Sequence, residues 1–114
     1  MIISGGEASS SDLQDVWALD LEFCVWTQLQ FDNSYAFHAK RFHTATSVSK
    51  NRMITFGGCH SEYVHMNDVN IFYLNDFVTS NGQNSLVLCE KLSFEKGACI
   101  PSTRWGHAAS MHND

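Results

Sequence analysis

Apolar positions along this chain gather in short runs and do not follow a helical rhythm. Met1 to Ser4, Asp15 to Leu21, Cys24 to Gln30, His43 to Ser49, Arg52 to Phe56, Asp68 to Leu74, Leu86 to Leu92 and Trp105 to Met111 are rich in apolar, aromatic and β-branched residues. Gly, Ser, Asn and Asp separate them, so each run predicts a strand. Within Val16-Trp17-Ala18-Leu19-Asp20-Leu21 the alternation is imperfect and mostly apolar, the pattern of a sheet covered on both faces. No window sustains a helical period, and little or no helix is expected. The single proline, Pro101, sits in a connection, where its missing N–H does no harm.

The pattern repeats. Ile2-Ile3-Ser4-Gly5-Gly6 returns as Met53-Ile54-Thr55-Phe56-Gly57-Gly58, and Gln14-Asp15-Val16-Trp17 returns as Asn67-Asp68-Val69-Asn70. The steps are about 52 and about 53 residues, a period that signals a propeller or solenoid. A third element sets the phase: Lys40-Arg41-Phe42-His43-Thr44-Ala45 and Arg104-Trp105-Gly106-His107-Ala108-Ala109 each place a basic residue three before a histidine. These lie about 64 residues apart, and the excess falls at Asn75 to Gln83, before Cys89, as a loop insertion of the kind repeats tolerate at a rim.

These residues resemble the kelch repeat: a basic residue and histidine opening one strand, an apolar strand ending in Gly-Gly, an Asp-Val-Trp type strand, and a last strand with tryptophan. The first unit matches closely, through Gly5, Gly6, Asp15, Trp17 and Trp26; the second keeps His43, Gly57, Gly58, Asp68 and Val69 but has Asn70, Tyr73 and Cys89 where the first has Trp17, Asp20 and Trp26. The resemblance implies an all-β fold of kelch-type β-propeller blades, about two four-stranded antiparallel blades forming an incomplete propeller across residues 1–114. Blade 1 would run over about 1–30, blade 2 over about 40–92, and 104–114 would either supply the first strand of blade 1 or open a next blade. In that frame Gly5, Gly6, Gly57 and Gly58 permit positive φ and close backbone approach. Trp17, Trp26 and Trp105 fill the wedge between sheets. Lys40 and Arg104 bridge to backbone carbonyls, Asp15 and Asp68 accept backbone N–H groups at turns, and His43 and His107 are structural.

Two blades do not close a ring, because radial repetition protects strand edges only when the last blade meets the first. The expectation is a piece of a longer kelch protein; the alternatives are several copies completing a propeller by symmetry, or an open body with exposed apolar faces. At 114 residues, 44% hydrophobic and 17% charged, the chain is of ordinary globular composition.

A formal charge of −5 with scattered basic residues excludes nucleic acid as a partner, and no run is long and apolar enough to suggest a membrane. Cys24, Cys59, Cys89 and Cys99 form no CxxC pair, which reads as reduced thiols in a cytoplasmic or nuclear protein. Neither Cys59-His60 with His65 nor His38 with His43 matches a structural zinc pattern, and no catalytic motif is present, so no catalytic residue, metal or cofactor is expected. The sequence points to a non-catalytic module presenting inter-strand loops to a protein or peptide. The alternative is part of a propeller enzyme, such as a galactose-oxidase-like oxidoreductase, with its active residues elsewhere; Tyr35, Tyr63 and Tyr73 form no recognisable set with histidines. Glu7 to Gln14 and Cys59 to Asn67, at one phase of the repeat, should project on one side, with Gln30 to Lys40 and Glu95 to Thr103 beside them. His60, Glu62, Tyr63, His65 and Met66 mix contact-prone types, whereas Ala8-Ser9-Ser10-Ser11 reads as a flexible spacer. The competing reading packs Tyr63 and Met66 onto their own sheet.

Overall fold

A computed structural model describes residues 1–31, 37–74 and 86–112. Among the described residues the fold is all-β, and no helix is long and apolar enough to cross a membrane. The insertion at 75–83, Tyr35, Asn113 and Asp114 lie outside the described residues.

The first sheet is a hairpin of β1 (Ile2–Ala8) and β2 (Ser11–Asp20), with β3 (Val25–Gln28) on the far side of β2. Ser9 and Ser10 both take left-handed φ, 47° and 76°, as a two-residue turn matched to strand twist requires. Ala8 to Ser11 is therefore a tight turn and not a spacer, and most of Glu7 to Gln14 is strand. The chain then contributes β4 (Gln30–Phe31), β5 (Thr44–Ser49), β6 (Arg52–Phe56), a small ribbon of β7 (Cys59–His60) and β8 (Val64–His65), β9 (Val69–Tyr73) and β10 (Leu86–Lys91). The second sheet has the order β4-β10-β9-β6-β5, antiparallel except for β4, which runs parallel to β10. The sheets thus hold three and five strands where four each were expected, and Trp105 to Met111, expected as a strand, carries none. Its residues have a suitable composition but pair with no neighbouring edge.

The repeat in the sequence is a repeat in register. Ile2 faces Ala18 and Ile3 faces Trp17 across β1 and β2; Ile54 faces Ile71 and Thr55 faces Asn70 across β6 and β9. Leu19 pairs with Trp26 in the first sheet, and Phe72 with Cys89 in the second. So β1, β2 and β3 correspond to β6, β9 and β10 residue by residue, with Cys89 standing where Trp26 stands.

Alternation along the strands gives each sheet two faces. Ile2, Val16 and Ala18 of the first sheet meet Met53, Phe72 and Cys89 of the second, joined by Leu29, Phe37 and Val87 in one buried cluster. The Phe31 and Phe37 rings lie 6.1 and 5.4 Å from that of Phe72. Each of the larger ones, Val16, Leu29, Phe37, Met53, Phe72 and Val87, contributes on the order of 1.5–3 kcal/mol by leaving water. The tryptophans are not in this core, contrary to expectation. Trp17 and Trp26 occupy the opposite face of the first sheet with Ile3, where Trp26 is 46% exposed, and Trp105 is exposed as well.

The glycine pairs behave alike in both units. Gly5 (φ 59°) lies against the Lys40 carbonyl and Gly57 (φ 64°) against the Arg104 carbonyl, and a Cβ at Gly57 would sit 2.6 Å from that oxygen and 3.0 Å from His107 Cε1. Gly97 (φ 85°) has nothing within 4 Å of such a Cβ. Urea unfolding should therefore show Gly97→Ala losing about 1 kcal/mol from its φ alone, and Gly57→Ala losing about 2–4 kcal/mol because backbone must also shift. Equal losses would contradict the close approach.

Candidate interaction site

The site is built on a segment, residues 37–43, that crosses from the first sheet to the second. Its main chain is fixed to the first unit: Lys40 N donates to Leu13 O at 3.1 Å, and Gly6 N donates to Lys40 O at 2.8 Å. Its side chain serves the second unit. Lys40 is fully buried, with Nζ 2.9 Å from Asp68 Oδ2 and 4.9 Å from the centre of the Phe37 ring. Asn70 Nδ2 donates to the same carboxylate oxygen at 2.8 Å. Burial draws the Lys40 pKa down, an effect its bond to Asp68 only partly offsets. Burial would push the Asp68 carboxyl up, but hydrogen bonds from Lys40 and Asn70, with the charge of Lys40, hold it below its ordinary range. Neither Asp68 nor Asp15 serves a turn: Asp15 accepts from the Trp17 indole at 2.6 Å, two residues on, as Asp68 accepts from Asn70.

The second unit repeats the main-chain part of this clamp. Arg104 N donates to Met66 O and Gly58 N donates to Arg104 O, both at 2.9 Å. The Arg104 side chain differs: it is exposed and, among the described residues, reaches only Ser102, through the carbonyl and the hydroxyl, each at 3.1 Å. Both histidines are locked beside their glycines. His43 Nε2 is 3.0 Å from Ser4 Oγ, and His107 Nε2 is 3.0 Å from Thr44 Oγ1. Their rings stand edge-on to Phe37 and Phe56 at 5.5 and 5.1 Å. Burial first, then the positive charge of Lys40, lowers the His43 pKa to about 4.

Beyond the glycines, the β1–β2 hairpin and the β7–β8 ribbon stand side by side, braced by Arg41. Arg41 exchanges two backbone hydrogen bonds with Cys59 at 3.0 Å, pairs with Glu7, and brings Nε within 3.4 Å of Asp12 Oδ1. Asp12 in turn accepts from Ser61 N, and His60 Nδ1 lies 3.0 Å from Ala39 O and 3.4 Å from Asp12 Oδ2. Between hairpin and ribbon is an open depression of about 500 Å³, lined among others by Glu7, Asp12, Arg41, His60, Glu62 and Tyr63.

The residues singled out by sequence divide here. His60, Glu62 and Tyr63 line the depression, and Tyr63 is 86% exposed. His65 points to a second cluster, its ring 6.4 Å from Trp105. Met66 is half-buried and works through its main chain, which holds Arg104. Sequence reasoning missed Arg41, Phe42, Glu7 and Asp12. Phe42 carried a signal: it stands where the second copy has Gly106, and both take left-handed φ, 57° and 65°. A phenylalanine there bears about 1–2 kcal/mol of backbone strain. Its ring is exposed, 5.5 Å from Trp105, with Arg41 Cζ 5.6 Å from its centre.

Among the described residues no disulfide joins the four cysteines; Cys24 and Cys99 are exposed, and burial pushes the Cys89 thiol up to about 12. Cys59 is buried while His60 beside it is exposed, and among the described residues no three His, Cys, Asp or Glu side chains gather to hold a metal ion. Compared with known proteins, the chain matches no family model and no curated protein.

Two outcomes follow from the clamp. Because the folded chain binds a proton at His43 only near pH 4 while the unfolded chain does so at its ordinary 6.5, stability is fully present above pH 6.5 and falls as pH drops towards 4. Thermal melting across that range should show the decline, and His43→Gln should flatten it; an unchanged slope would contradict the assignment. Lys40→Met strands a buried carboxylate and should cost about 3–5 kcal/mol in urea unfolding, much of it recovered in Lys40→Met with Asp68→Leu. A double variant no better than the single one would show that the pair does not act as a unit.

Proposed function

We propose that this chain is a non-catalytic interaction module of kelch-type blades, part of an incomplete propeller, whose loop face receives a protein or peptide. What carries the reading is the exposed strained Phe42, its ring tilted against Trp105 and flanked by Arg41 and His65. Backbone strain at an exposed aromatic brings no stability to the fold, and a contact surface gives it a use. Tyr63, Glu62 and His60 extend that surface across the braced hairpins, where loops are held rigid by the sheets beneath them. The exposed free thiols fit a reducing compartment, cytoplasm or nucleus, and the negative charge of the chain argues against nucleic acid.

The test separates binding from folding. Peptides selected on the wild-type chain from a displayed library should bind Phe42→Gly and Tyr63→Ala at least about tenfold more weakly, a loss of about 1.4 kcal/mol or more. Phe42→Gly should at the same time melt higher, since glycine relieves the left-handed strain. Undiminished binding by both variants would overturn the reading.

A further inference from the structure

The two sheets are copies in register, so their faces are copies too. Within the chain, the face of the first sheet bearing Ile2, Val16 and Ala18 is covered by the face of the second bearing Met53, Thr55, Asn70, Phe72 and Cys89. The two remaining faces are the counterparts of these in reverse. Met1, Ile3, Trp17, Leu19 and Trp26 on the first sheet correspond to Met53, Thr55, Asn70, Phe72 and Cys89; Ile54, Val69 and Ile71 on the second correspond to Ile2, Val16 and Ala18. The end faces are therefore complementary to each other by the same rule that joins the sheets inside.

Charge follows the same phase. Lys40, leaving the first unit, inserts its ammonium between the sheets and finds Asp68. Arg104, leaving the second unit with the same main-chain bonds, turns its guanidinium onto Ser102, its one side-chain partner among the described residues. The counterpart of Asp68 is Asp15, half-buried on the outer face of the first sheet, where it holds the Trp17 indole. Residues 108–111, at the phase of β5, are exposed and lie outside any strand, while β1, the counterpart of β6, is an edge.

We infer that the chain binds a second copy of itself head to tail, the outer face of the second sheet of one copy covering the Trp17 and Trp26 face of the next. In that contact Arg104 pairs with Asp15 of the second copy as Lys40 pairs with Asp68, and residues 108–111 add a strand to the β1 edge of that copy. The contact joins unlike surfaces, so it propagates until a ring closes. This inference rests on the register of the sheets and is independent of the loop face.

Sedimentation of the wild-type chain at rising concentration should show species larger than one chain, with tryptophan emission moving to shorter wavelength as Trp26 is covered. Arg104→Asp and Asp15→Arg, both surface changes whose folding is checked by circular dichroism and melting, should each weaken association at least about tenfold. Mixed in equal amounts they should associate again, because every unlike junction then carries one acid and one base. A wild-type chain that stays single throughout, a single variant that associates as well as wild type, or a mixture that stays apart would each overturn the inference.

Discussion

The fold turns on Lys40. Its main chain closes the first unit by bonding both Leu13 and Gly6, and its side chain closes the second by meeting Asp68 in the space between the sheets. An ammonium withdrawn from water is tolerated only where a carboxylate compensates it, and Asp68 is itself pinned by Asn70. Because removing either member strands a buried charge, the pair requires these particular residues of the two sheets to face each other. Apolar contact between Val16, Ala18, Phe72 and Cys89 supplies the driving force without specifying a register; the ion pair and the glycine contacts specify it.

Around that node the chain reuses one device. A glycine in left-handed conformation lets a carbonyl from the next connection approach its Cα, and a histidine from the same connection closes over it. Side chains that complete the device vary between copies: Ser4 and Thr44 serve the histidines, Trp17 and Asn70 serve the aspartates. Backbone geometry is what the repeat preserves, because a Cβ or a missing N–H at those points has no alternative accommodation, whereas donors to a carboxylate are interchangeable.

Much of this was legible. The spacing of Gly5 to Gly57 and Asp15 to Asp68 carries the correspondence of strands, and Cys89 stands in the pairing where Trp26 stands in the first sheet. What failed has a common cause, since sequence periodicity records that a face is apolar and not what covers it. The wedge between these two sheets therefore holds neither Trp17 nor Trp26, which lie on the outer face of the first sheet. Trp105 to Met111 has the composition of a strand but no edge beside it. The site suffered from distance: Arg41, Glu7, Asp12 and Ser61 come from separate segments, and only their meeting makes a brace. Phe42 was readable in principle, as a bulky residue aligned with Gly106.

The short strand β4 carries a mechanical meaning. As the chain leaves the first sheet, Leu29 N bonds to Val16 O, and the next two residues run alongside Leu86 and Val87 at the far margin of the second sheet. One continuous stretch of backbone is thus stitched to both layers within three residues. A pivot between the layers would have to tear those stitches, so force applied to either layer is transmitted to the other without slack, and the pair responds as a single lever.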